Sequence, residues 1–139
     1  ILRHATATTE LAVRFLHDLS RAVLAQEVRK ASVYVFPSVY QEIWGLALTE
    51  AMASSCAVIA SDVAGARAQV HEGTGILVPP GDVTALRKTI NSLIGNPKRM
   101  TEMGQAARAH VVEHHGLAAL GERWESVLNL VAAGEAVTA

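Results

Sequence analysis

Four short β-prone runs recur along the chain, separated by stretches with helical spacing or turn chemistry, and this alternation limits the fold more than any other feature. The runs are residues 13–17 (VRFLH), 33–36 (VYVF), 57–60 (AVIA) and 76–78 (ILV). The last three are apolar or aromatic throughout rather than alternating, which suits strands covered on both faces. Pro37 ends the second run, since it has no N–H to give a ladder. Ser20 predicts an N-cap, and Ala22, Val23, Val28 and Ala31 space the apolar face of the helix behind it. Residues 46–54 (LALTEAMAS) are good helix formers, and residues 66–72 predict one short helix. Gly73-Thr74-Gly75 predicts a turn. Asp82 caps a helix with Val83, Leu86, Ile90, Leu93 and Ile94 on one face, and Gly95-Asn96-Pro97 stops it. Pro97 is placed to open the next helix, which runs to about His115. Gly116 breaks it before a last amphipathic helix carrying Leu117, Leu120, Trp124, Val127, Leu128 and Val131. The pattern predicts an α/β fold: a parallel sheet with helices on both faces.

The 139 residues support one domain, expected over residues 13–133. Residues 1–12 are expected to form a tail or frayed helix, and residues 134–139 a tail. Half the residues are hydrophobic but only 4% aromatic, so the core must be built mainly from Ala, Val, Leu and Ile. Twelve Lys and Arg against 13 Asp and Glu leave a net charge of −1, with no basic run, which argues against nucleic acid as a partner. The lone cysteine, Cys56, excludes an internal disulfide framework and suits a cytoplasmic setting. Cys56 is expected to be a small buried hydrophobe. No apolar stretch approaches the roughly 20 residues of a spanning helix, and no charged-then-apolar leader opens the chain. The chain opens on Ile1 rather than Met, which suggests a fragment, a trimmed chain or a leader ahead of it.

In a sheet of this kind, ligands bind beyond the carboxyl ends of the strands. Those ends lead into the loops 37–45, 61–65 and 79–82. The first of these is the informative one. In residues 36–53 (FPSVYQEIWGLALTEAMA), Glu42 falls in the loop and Glu50 in the helix that follows, with seven residues between them. Two carboxylates so placed can face one cleft and accept hydrogen bonds from vicinal hydroxyls of a ribose or hexose. The helix start near Leu46 offers free N–H groups and the positive end of the dipole, an inherent phosphate site. Gly45 lets a ligand approach the backbone. Acids for hydroxyls and a helix N-terminus for phosphate together suggest a nucleotide-sugar.

The order strand, Pro-Ser, Glu42, aromatic, Gly45, four residues, Glu50-Ala51-Met52 resembles the acid-seven-acid motif of retaining GT-B glycosyltransferases of the glycogen-synthase-like kind, the glycosyl transferases group 1 family. VIASDVAG (58–65) resembles their next strand and loop, and GTGILVPPGDVTAL (73–86) the segment before their late helices. The resemblance runs from Val13 to Val131. It implies the Rossmann-like C-terminal domain of a GT-B enzyme, in part, binding the donor sugar nucleotide. Glu42 then takes the catalytic position and contacts the donor sugar. The backbone of Ile43, Trp44 and Gly45 helps to hold that sugar. Leu46 and Thr49 lie near the diphosphate and nucleoside, and Glu50 holds the ribose hydroxyls. The family retains anomeric configuration without a divalent metal, so no cofactor and no metal are expected.

The resemblance also implies what these residues lack. The family neutralises the leaving diphosphate with an Arg and a Lys lying before the part that matches Val13, and residues 1–12 do not reproduce that element. The acceptor-binding domain or subunit is likewise expected elsewhere, so the chain alone is expected to be inactive. Where the family has Cys-Gly-x-Pro, this chain reads Ser54-Ser55-Cys56-Ala57; where it has Gly-Gly-x-x-Glu, this chain has Ala64, Gly65 and Ala68. Those losses keep open two alternatives: a non-catalytic interaction module, and one subunit of a split glycosyltransferase. With fewer strands than the complete domain, the sheet is expected to expose an edge, covered by homo-oligomerisation or another chain. His110-Val111-Val112-Glu113-His114 matches an inverted zinc-protease pattern but has no evident third ligand; an exposed, His-rich helix end is expected instead. Asp62 is expected to form a turn.

Overall fold

The computed structural model describes residues 13–134. In chain order the elements are α1 (Arg21–Lys30), β1 (Val33–Phe36), α2 (Leu46–Ala53), β2 (Ala57–Ser61), α3 (Ala64–Arg67), β3 (Gly75–Val78), α4 (Val83–Ile94), α5 (Pro97–His115) and α6 (Leu117–Ala132). The three strands form one parallel sheet in the order β1-β2-β3. Val33 pairs with Ala57 in one ladder and Val58 with Gly75 in the other.

The central strand explains the composition. All five residues of β2 are buried, and alternate side chains enter two separate cores. Val58 and Ala60 join Leu48, Ala51 and Met52 of α2 and Ala107 and Val111 of α5. Ala57 and Ile59 join Leu93 of α4 and Met103 of α5. Small β2 side chains let helices settle close on both faces of so short a sheet. Cys56 is fully buried, and its thiol donates to the carbonyls of Val28 and Ala31, each at 3.3 Å. Burial pushes that thiol's pKa up, which keeps it unreactive.

The punctuation read from sequence holds at most boundaries. Ser20 Oγ accepts from the Val23 amide at 3.4 Å, Asp82 Oδ1 from the Ala85 amide at 2.8 Å, and Asn96 Oδ1 from the Arg99 amide at 3.1 Å behind the Pro97 start of α5. Asp62, read as a turn former, lies at the bend after β2, and its carboxylate accepts from Arg67 Nε at 2.5 Å rather than from a turn amide. The short third helix begins earlier than its composition suggests, at Ala64, and residues 71–74 close a turn through the Thr74 hydroxyl.

The strand expected at residues 13–17 is not formed. A strand needs a neighbour to satisfy its N–H and C=O groups, and this run pairs with none among the described residues. Val13, Phe15 and Leu16 stay nearly half exposed, and Arg14 ties the segment to Glu27 of α1 at 3.2 Å. Within α1, Val28 packs on the core with Ala31 just beyond it, whereas Val23 is exposed. Residues 1–12 and 135–139, read as tails, lie outside the described residues. The outer edges of β1 and β3 have no paired strand among the described residues. No helix there is long and apolar enough to cross a membrane.

Candidate functional site

The loop after β1 and the start of α2 carry all seven residues singled out by sequence. Gly45 makes the join. It is the N-cap of α2 at φ +70°, a left-handed conformation that L side chains rarely adopt. A Cβ there would stand 3.2 Å from the ring of Phe36. The carbonyl of Gly45 accepts from Leu48 N at 2.9 Å, so Leu46 and Ala47 present the first unclaimed amides of the helix among the described residues. The Leu46 side chain lies outside the core, 70% exposed, and so does Ile43 at 92%.

Glu42 is half-buried and Glu50 exposed. Glu50 sits on α2 next to Ala51 and Met52, both fully buried, so its backbone is fixed by core packing. It lines a cavity of about 440 Å3 between α1 and α2, with Arg21, Leu24, Ala25 and Val28. That volume suits a small-molecule site, which typically spans roughly 300–1,000 Å3. Tyr34 of β1 feels the same carboxylate: burial first, then the charge of Glu50, pushes its phenol pKa up. Glu42 does not line this cavity. A second, smaller and largely apolar hollow of about 190 Å3 lies beyond the carboxyl ends of the strands, where Pro37, Ser61 and Pro79 meet.

The loop is fixed chiefly through its backbone. The amide of Gly65 donates to the Glu42 carbonyl at 2.7 Å. A Cβ on Gly65 would lie 2.6 Å from that oxygen and 2.9 Å from Ile43 C and Trp44 N, so only glycine allows this approach. Thr49 turns its hydroxyl inward, donating to Gln69 Oε1 at 2.5 Å, while Gln69 Nε2 donates to the Gly65 carbonyl at 3.1 Å. Gln69 is 1% exposed. Sequence periodicity does not single it out, because one amide in an otherwise ordinary turn carries no pattern.

Trp44 leans edge-on against His115, with ring centroids 5.0 Å apart. Around it, His71, His110 and His114 stack or meet edge-on at 4.4–4.6 Å. The His-rich end of α5 is therefore not the exposed helix end expected from sequence: His110, His114 and His115 are half-buried, because the 42–45 loop and the turn at His71 pack on them. Burial, then the neighbouring His114, pushes the pKa of both His110 and His115 down. His114 Nδ1 lies 3.0 Å from the His110 carbonyl. Among the described residues, no group of three or more His, Cys, Asp or Glu side chains is placed to hold a metal ion.

The chain is similar in sequence and in fold to known proteins. Residues 2–110 match the family model described as Glycosyl transferases group 1. The chain is 38% identical over 110 residues to alpha-maltose-1-phosphate synthase of Mycolicibacterium smegmatis, covering 74% of this chain and 28% of that protein. Sucrose-phosphate synthase from Thermosynechococcus elongatus superposes with a TM-score of 0.79 at 33% identity, over 88% of this chain and 31% of that one. The Anabaena protein HepE, solved in complex with UDP, shares the fold with a TM-score of 0.74 at 24% identity, over 78% of this chain and 30% of that one. The chain thus spans about a third or less of the length of these proteins.

Proposed function

This chain belongs to the glycosyl transferases group 1 family, with the Rossmann-like architecture of part of a GT-B C-terminal domain, and we propose that it binds the nucleotide-sugar donor of a retaining glycosyltransferase. The observation that carries the reading is the position of Glu50. It stands on the wall of the 440 Å3 cavity, about one turn along α2 from the unclaimed amides of Leu46 and Ala47, which lie outside that wall.

In this reading Glu50 accepts hydrogen bonds from the ribose hydroxyls. The diphosphate meets the amides of Leu46 and Ala47 at the positive end of α2. Transfer builds negative charge on that diphosphate as the sugar departs, and fixed dipoles aimed at it lower the barrier. The amides of Ile43, Trp44 and Gly45 and the carboxylate of Glu42 hold the sugar, with Glu42 nearest the reacting carbon. Thr49 supports the nucleoside end through the helix rather than through its hydroxyl, which Gln69 already engages. The chemistry calls on no metal or cofactor. The acceptor site and the cationic groups that complete neutralisation come from outside this chain, so the chain by itself binds donor without transferring sugar. Self-association, or pairing with the acceptor-binding part, covers the open sheet edge, and the protein works in the cytoplasm.

Calorimetric titration with UDP, UDP-glucose, GDP and ADP tests the reading, alongside Glu50→Ala. Saturable binding that the variant loses supports a donor site at Glu50. No heat with any nucleotide, from a sample shown to be folded, favours an interaction module that keeps the fold without the site.

A further inference from the structure

We propose that Gln69 is a positioning residue for the donor, setting the sugar-side loop 42–45 against the nucleoside-side helix α2. The inference rests on the donor-site reading above and goes beyond it, because Gln69 belongs to neither acid motif.

A buried amide costs free energy unless both its ends are hydrogen-bonded. Gln69 meets that condition by joining two elements. Its Oε1 takes the hydroxyl of Thr49, the residue before Glu50 on α2. Its Nε2 gives to the carbonyl of Gly65, whose own amide holds the carbonyl of Glu42. Three hydrogen bonds of 2.5, 3.1 and 2.7 Å therefore run Thr49–Gln69–Gly65–Glu42, connecting the helix that bears one acid to the backbone of the other. The Gly65 carbonyl can only accept, so it fixes which way the amide faces.

The same side chain passes close to Gly45, where the loop joins α2. Its Nε2 lies 3.7 Å from where a Cβ on Gly45 would stand, with the Phe36 ring on the same side at 3.2 Å. Apolar residues at both positions could fill the space equally well but could not fix the register of the loop along the helix. A polar pair has one satisfied arrangement, and that arrangement sets how far Glu42 stands from Glu50.

The test is the ratio of affinities for UDP-glucose and UDP, with GDP-mannose and GDP as a second pair, in the wild type and in Gln69→Met. Methionine keeps the volume, and Thr49 can then turn to its own helix backbone. Misplacing the loop by one hydrogen bond should lower the nucleotide-sugar affinity relative to the diphosphate on the order of tenfold. A merely structural role for Gln69 weakens both ligands alike and leaves the ratio unchanged, which would overturn the proposal. If no pair binds the wild type, the donor-site reading fails and this proposal fails with it. A second measurement needs no variant: the Gln69 side-chain amide signals in the nitrogen-proton spectrum of the wild type. They should shift more with UDP-glucose than with UDP, and an equal or smaller shift would overturn the proposal even if Gln69→Met does not fold.

Discussion

Glu50 and Glu42 have only seven residues between them in sequence, yet the structure supports them in opposite ways. Glu50 rides on α2, whose Leu48, Ala51 and Met52 are fully buried against β2 and α5. The carboxyl end of α2 is held as well, since Arg108 of α5 donates to the Ala53 carbonyl. Glu42 sits on a loop that exposes Tyr40 at 81% and Ile43 at 92%. That loop keeps its place through one backbone hydrogen bond to Gly65, the Phe36 ring beneath Gly45 and the contact of Trp44 with His115. Helix α2 draws on the stability of the whole core, whereas the loop can loosen locally at lower cost. In the proposed donor site, Glu50 thus stands on a rigid helix and Glu42 on a loop that can adjust.

The rigid side breaks most completely from within. Leu48→Ala removes a fully buried side chain between α2 and the sheet, and should cost roughly 2–5 kcal/mol of stability in urea unfolding. A loss under about 1 kcal/mol, the lower part of the range for smaller core truncations, would mean that α2 does not depend on this core.

The loop side should respond to acid. His110 and His115 both have pKa values below the ordinary 6.5, owing to burial and then His114, with His71 adding to both, Arg123 lowering His115 and Glu113 opposing the shift at His110. The unfolded chain therefore binds more protons than the folded one below about pH 6.5. Their contribution is complete above that pH and is lost as the pH falls through the folded values. The melting temperature should fall from pH 7.5 to pH 5, and Trp44 fluorescence should change in the same interval. His110→Gln with His115→Gln should flatten both profiles, and unchanged profiles would show that the cluster does not support the loop.

The smallest expected effect sharpens the rigid side without touching the loop. Ser55, just past α2, adopts φ +63°, and the family motif puts glycine at this place. Ser55→Gly should relieve left-handed strain and raise stability by about 1 kcal/mol, with the UDP-glucose to UDP ratio unaltered. A destabilised Ser55→Gly would mean that the serine side chain contributes something the strain argument omits.

How much of this was legible in the chain depends on the range of the interaction involved. Three of the four strands, the caps at Ser20 and Asp82 and the start at Pro97 follow from neighbours within a few residues, and sequence conveys that directly. The loop and helix that carry the candidate residues were also legible, as a motif, because Gly45 and the α2 start are one contiguous turn. The fourth strand was not. Residues 13–17 have strand composition, but composition does not supply a neighbouring edge. The histidines were misread for a similar reason. Helical spacing placed His110 and His114 on one face, but the burial of that face depends on the loop and the turn at His71, both more than 35 positions distant in sequence.

The sequence by itself determined the alternation of elements, the small-residue core of β2 and the two acids flanking Gly45, because each is written in local pattern and residue chemistry. Only the tertiary structure decided how those acids are held. It brought Gly65 against the Glu42 carbonyl, turned Thr49 inward to Gln69 and seated Trp44 against His115. Each of these contacts joins residues at least 20 positions apart. Their formation depends on which loop, turn and helix come together when the elements pack, a result of burial that no local pattern encodes.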